Sequence, residues 1–136
     1  MKAKILIVDD EAELRDSLAR HFRLDGYAVD TAADGADALT KLSSAPYSVV
    51  ISDIMMPIMD WIDLLRRVKS EYPMVRVIMI TGYVTLGNAL SCMRHGADTC
   101  VFKPLVDLAE LDGAVLGALA HLANWQSKFL ELKGIK

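Results

Sequence analysis

Five short apolar runs recur along the chain, KILIV, YAVDTA, YSVVIS, VRVIMI and DTCVF. Between them lie longer segments in which apolar residues return every three or four positions. The period-two signal is largely missing from runs such as ILIV and VIMI, as expected of strands covered on both faces, and the longer segments carry helical spacing. The pattern predicts strands at Lys4–Val8, Tyr27–Ala32, Tyr47–Ser52, Val75–Ile80 and Asp98–Phe102. It predicts helices from Glu11 to about Asp25, Gly35 to Ser44, Trp61 to Glu71, Val84 to His95, and from Val106 onward. Gly26 and Gly96 fall where helices should stop. Five βα units in a row imply right-handed crossovers and a doubly wound α/β fold, a five-stranded parallel sheet in the order 2-1-3-4-5 with helices on both faces. Ligands of such sheets bind outside the carboxyl ends of the strands, where strand order reverses, here between the first and third strands.

Chemistry is concentrated at those strand ends. Asp9 and Asp10 follow the first strand, Asp53 the third, Thr81 the fourth and Lys103-Pro104 the fifth. Singly, each has an ordinary reading. Asp10 with Glu13 makes a capping box for the first helix, Asp53 a loop residue bonding local amides, Thr81 a strand-end β-branched residue, and Lys103 a solvated charge. Together they would bring three carboxylates, a hydroxyl and an ammonium to one rim. Two carboxylates about 5 Å apart repel by roughly 3 kcal/mol at an effective dielectric near 20, so the pocket calls for a cation. Magnesium, which takes a few carboxylate oxygens together with water and phosphate oxygens, suits it, and with Lys103 it brings the three negative charges to about zero. Phosphoryl transfer needs mainly alignment and charge stabilisation, so a phosphoryl group approaching Asp53 would find a cation in Lys103 and a hydroxyl in Thr81.

The ordered motifs resemble a known family. The acidic DD-E after the first strand, Asp53-Ile54-Met55-Met56-Pro57-Ile58-Met59-Asp60, Thr81-Gly82 and Lys103-Pro104 resemble the receiver domain of bacterial two-component response regulators, over about residues 2 to 120. The resemblance implies that Asp53 accepts a phosphoryl group from a phosphohistidine on a sensor histidine kinase or histidine phosphotransfer protein. It also implies that Asp9, Asp10, Asp53 and the backbone carbonyl of Met55 hold Mg2+, that Thr81 and Lys103 contact the phosphoryl oxygens, and that the Lys103-Pro104 bond is cis. Two positions depart from the pattern. Trp61 stands where the family commonly has glycine, and Cys100 stands three residues before Lys103 in place of the usual switching aromatic, which leaves Tyr83 as a candidate replacement. Met55 and Tyr83 flank the site with bulk, so a long-lived phosphoaspartate is expected.

Composition changes this picture little. The chain has 136 residues and a formal net charge of −3 with scattered basic residues, which fits one domain without a nucleic-acid surface. No apolar stretch approaches membrane-spanning length and the N-terminus turns acidic too soon for a secretory signal, so a cytoplasmic protein with no membrane contact is expected. Cys92 and Cys100 read as reduced, buried thiols, and the three histidines lack ligand spacing, His95 reading as a helix C-terminal residue.

The last helix runs past residue 120. Leu108, Leu111, Val115, Ala118, Leu122, Trp125, Phe129 and Leu132 hold a 3-4 spacing, so residues 1–120 read as the receiver. Residues 121–136 read as an extension serving as a homodimer seam or a linker. Two other functions compete with a non-enzymatic phosphoacceptor. One is a receiver-like dimerisation module that no longer takes phosphate. The other is a small aspartyl-phosphate hydrolase of the haloacid dehalogenase type, which would want D-x-D after the first strand and a cap domain. A flavin carrier on this fold would need hydroxyl- or glycine-rich phosphate contacts where this chain offers acids.

Overall fold

A computed structural model describes residues 3–53, 61–82 and 85–134. The elements alternate as expected. They are β1 (Lys4–Val8), α1 (Ala12–Leu24), β2 (Ala28–Ala32), α2 (Gly35–Ser44), β3 (Val49–Asp53), α3 (Trp61–Glu71), β4 (Arg76–Thr81), α4 (Leu86–Arg94), β5 (Thr99–Phe102) and α5 (Ala109–Leu132). All strand pairs are parallel and the order is β2-β1-β3-β4-β5. β1 and β3, the strands ending in acids, are neighbours, with Val8 opposite Ser52.

Two cores explain the continuous apolar runs. Side chains alternate across a strand, so Ile5, Ile7, Ile51, Ile78 and Ile80 pack against α1 and α5 through Leu18, Phe22, Leu111 and Val115. Leu6, Val8, Val50, Val77 and Met79 pack on the other face against Leu42 of α2, Leu65 and Val68 of α3 and Cys92 of α4. Every residue of β3 and β4 is buried.

Helix ends follow local chemistry. Asp34 caps α2 by accepting from the Asp37 amide at 2.8 Å, and Thr85 caps α4 by accepting from the Asn88 amide at 3.1 Å. Gly26 and Gly96 have φ of 99° and 96°, the left-handed conformation that stops α1 and α4 at little cost. His95 is the C-cap of α4, its Nδ1 lying 2.8 Å from the Ser91 carbonyl. α5 starts three residues later than the spacing suggested, because Asp107 accepts the Ala109 amide at 2.9 Å and turns the chain there.

The face of α5 expected as a seam is shared between different neighbours. Leu111, Val115, Ala118 and Leu122 are buried in the domain, Leu108 packs at the core's edge, and Leu132 is 83% exposed. Trp125 and Phe129 are 45% and 41% exposed and stack on one another with centroids 5.8 Å apart. They line a groove with Pro73 and Met74 of the α3–β4 turn. The two rings thus have a partial cover within the same chain.

Candidate functional site

β1 ends in Asp9, which the fold uses twice. One oxygen, Oδ1, accepts the Glu11 amide at 2.9 Å and turns the chain into α1, while Arg15 donates to the Asp9 carbonyl at 3.0 Å and fixes the backbone. The other oxygen, Oδ2, is buried without a hydrogen-bond partner, at ion-pair distance (3.5 Å) from the Lys103 ammonium. Asp10 makes no capping box, since Glu11 is the N-cap of α1 and makes no side-chain cap bond. Asp10 is thereby an exposed carboxylate at the pocket's lip.

Asp53 closes β3 and is 3% exposed. Carboxylate oxygens of Asp9, Asp10 and Asp53 all lie within 4.8 Å of one another. Lys103 reaches in from the end of β5, its ammonium donating to Asp53 Oδ2 at 3.1 Å and lying 3.5 Å from Glu11 Oε1. Its amide donates to the Thr81 carbonyl at 2.8 Å, and the Lys103-Pro104 bond is cis. Thr81 ends β4, one residue beyond Ile80, which pairs with Asp53. Asp9, Asp10, Asp53 and Lys103 therefore meet at one rim, and Thr81 ends the strand beside it. Glu11, to which the sequence reading gave no role, joins them, and the acidic triplet Asp9-Asp10-Glu11 was the signal available for it. Met55 and Tyr83, and with them the expected carbonyl ligand and the replacement switch, lie outside the described residues.

The electrostatics fit a cation-demanding pocket. Burial raises the Asp9 carboxyl above its ordinary value; the Glu11 amide works against this and the Asp53 charge adds to it. Burial opposes the charge on Lys103, but its hydrogen bond to Asp53 and the charges of Asp53, Asp9 and Glu11 outweigh it, so its pKa rises. Three clustered carboxylates and one ammonium leave the pocket negative. The orphaned Asp9 oxygen and an all-oxygen donor set suit a hard divalent ion.

On the α4 face of the sheet, Cys100 of β5 pairs in register with Met79 and packs beside Cys92 of α4. Both thiols are free, and burial with the neighbouring Cys92 pushes Cys100 up to about 12.

The model of the response regulator receiver domain family matches residues 5–116. This chain is a response regulator receiver domain. Among curated relatives, the receiver is 37% identical over 123 residues to the response regulator protein FleR of Pseudomonas aeruginosa, covering 90% of this chain and 26% of that protein. It is 33% identical over 136 residues to the sensor protein EvgS of Escherichia coli K12, covering 99% of this chain and 11% of that protein. The receiver thus spans between a tenth and about a quarter of these two relatives. Among solved structures it is similar to a CheY-like receiver domain protein of Methanospirillum hungatei, with a TM-score of 0.85, 30% identity, and coverage of 91% of this chain and 98% of the other. It is also similar to the response regulator TrrA of Thermotoga maritima in complex with Mg(2+)-BeF, with a TM-score of 0.77, 32% identity, and coverage of 86% and 99%. Among the described residues no helix is long and apolar enough to cross a membrane.

Proposed function

We propose that this receiver accepts a phosphoryl group on Asp53 from a phosphohistidine of a sensor histidine kinase or histidine phosphotransfer protein, in a Mg2+-dependent reaction. A carboxylate oxygen of Asp53 attacks phosphorus, the bond from phosphorus to the imidazole nitrogen breaks, and its electron pair leaves with the imidazole. Asp9, Asp10 and Asp53, with the Met55 carbonyl, would hold the ion, which when bound offsets the carboxylate charge and that of the incoming group. Lys103, which donates to Asp53 in the resting site, would follow the charge onto the phosphoryl oxygens. Thr81 supplies a hydroxyl at the end of the adjacent strand. Signalling, with no substrate turned over beyond the receiver's own phosphorylation and slow loss of the group, follows from a conformational change or self-association in the cytoplasm.

The observation that carries this reading is the convergence of Asp9, Asp10, Asp53 and Lys103 on one rim, with one buried Asp9 oxygen unpartnered. Incubation with acetyl phosphate and magnesium, followed by intact-mass measurement, tests it. Wild type should gain the mass of one phosphoryl group, and Asp53→Asn should gain none. Unmodified wild type would favour instead a receiver-like dimerisation module.

Homodimerisation through α5 belongs to the same proposal. Its outward face leaves Leu116 at 61% and Leu130 at 44% exposure. Sedimentation of the chain against a version ending at Ala120 should give a dimer for the first and a monomer for the second, and equal monomer masses remove the idea.

A further inference from the structure

At the end of the sheet opposite Asp53, a groove of about 510 Å³ opens between the second half of α5 and the α3–β4 turn. It lies at the start of β4, five residues before Thr81, hence about 16 Å from the phosphorylation rim along the strand. One wall is the stacked pair Trp125 and Phe129, and Pro73 and Met74 also line it. The remaining lining is polar and unbalanced. Lys69 and Arg76 bring two positive charges against a single carboxylate, Asp98. Arg76, 8% exposed, is engaged by Asp98 and by the Pro73 and Met74 carbonyls, so the surplus charge is that of Lys69.

Asp98 is already committed. Its Oδ2 accepts the Val77 amide at 2.7 Å, and its Oδ1 lies 3.4 Å from Arg76 Nη1 and 3.7 Å from His121 Nδ1. Lys69 donates to the Val75 carbonyl at 3.1 Å, and its methylene stem lies across Gly96, where a Cβ would meet Lys69 Cγ at 3.2 Å. Its ammonium is thus pinned at the groove. Burial and the neighbouring Arg76 push the Lys69 pKa down, with Asp98 pulling the other way. A half-buried cation repelled by another cation favours an anion beside it.

We propose that this groove is a binding site for a small planar aromatic anion, its ring against Trp125 and Phe129 and its negative group beside Lys69. The volume is within the range of small-molecule sites, and aromatic walls with a few charged groups are the usual composition of such sites. The stacked rings supply apolar area of low conformational cost, and the excess positive charge selects anionic over neutral ligands of the same shape. The site is independent of the phosphoacceptor reading, since no residue is shared between them.

The test uses naphthoate and its neutral isostere naphthamide as probes, followed by amide chemical shifts on the whole chain. Naphthoate should bind saturably, with shifts centred on Lys69, Gly96, Asp98 and Trp125, and naphthamide should bind about fivefold more weakly. Trp125→Ala, at a half-exposed position where folding is not at stake, should weaken naphthoate about tenfold. Lys69→Met should remove the preference for naphthoate over naphthamide, with thermal melts confirming that each variant is folded. Non-saturating binding, equal affinity for the two probes, or shifts centred elsewhere would overturn the proposal. So would groove amides that move with protein concentration alone, since a second copy would then be the occupant.

Discussion

Asp9 is the residue whose removal should strengthen the resting fold and disable the site at once. Asp9→Asn keeps the oxygen that accepts the Glu11 amide and discharges the orphaned one. With oxygens within 4.8 Å of one another, each repulsion from Asp53 or Asp10 is at least about 3.5 kcal/mol at an effective dielectric of about 20. The attraction to Lys103 at 3.5 Å is about 5 kcal/mol on the same scale. The two repulsions exceed the attraction by at least about 2 kcal/mol, and the exposure of Asp10 reduces that excess. The net gain is about 1–2 kcal/mol, or roughly 3–6 °C in melting temperature for a domain of this size. The sign with pH follows from the raised Asp9 pKa. A carboxyl whose folded pKa lies above its unfolded value costs no stability when both states are protonated. The cost begins above the unfolded value near 4 and is complete once pH exceeds the folded pKa. The variant should therefore melt like wild type below about pH 4 and above it at pH 7 without magnesium. Magnesium at about a hundredfold its dissociation constant should stabilise wild type by roughly 2.7 kcal/mol and the variant far less. Differential scanning calorimetry at several pH values, with EDTA or magnesium, reads both effects. A variant less stable than wild type at pH 7 in EDTA, or equally stabilised by magnesium, would refute the reasoning.

Other consequences are equally accessible. Lys103→Gln removes the cation beside Asp53 and Asp9, so the resting protein should lose stability at pH 7 and depend more steeply on magnesium, as read by melts in EDTA and in magnesium. Leu111→Ala, at a fully buried α5 position, should cost about 2–5 kcal/mol in urea unfolding while leaving phosphorylation in place. The phosphoaspartate should persist for longer than minutes, and Met55→Asn and Tyr83→Ala should shorten its life. A rapid decay unchanged by either substitution would dismiss the bulk of these side chains as the cause.

The fold was legible because its signals are local and repeated. ILIV and VIMI can be continuous only if both faces are covered, and Gly26 and Gly96 mark helix stops that the backbone then adopts. The rim was legible because a parallel sheet delivers every strand end to one edge, so Asp9, Asp10, Asp53, Thr81 and Lys103 needed only the strand order to be gathered. What the sequence could not assign was the object that an apolar helix face meets. The spacing of Leu111, Val115 and Ala118 continues unchanged into Trp125 and Phe129, yet the first three face the sheet while the last two flank the α3–β4 turn. Periodicity fixes a face and leaves its neighbour open. Pairings such as His21 with Asp112 at 2.7 Å, or Asp98 with Arg76, likewise depend on tertiary approach and leave no mark in either segment.

The central claim is that Asp53 itself carries the phosphoryl group. Borohydride reduces an acyl phosphate and converts the aspartate that bore it to homoserine, which peptide mass spectrometry can place. After exposure to a phosphorylated histidine phosphotransfer protein and magnesium, homoserine should appear at position 53 and disappear when EDTA replaces the metal. Homoserine at Asp9 or Asp10 instead, or none at any position, would contradict the account.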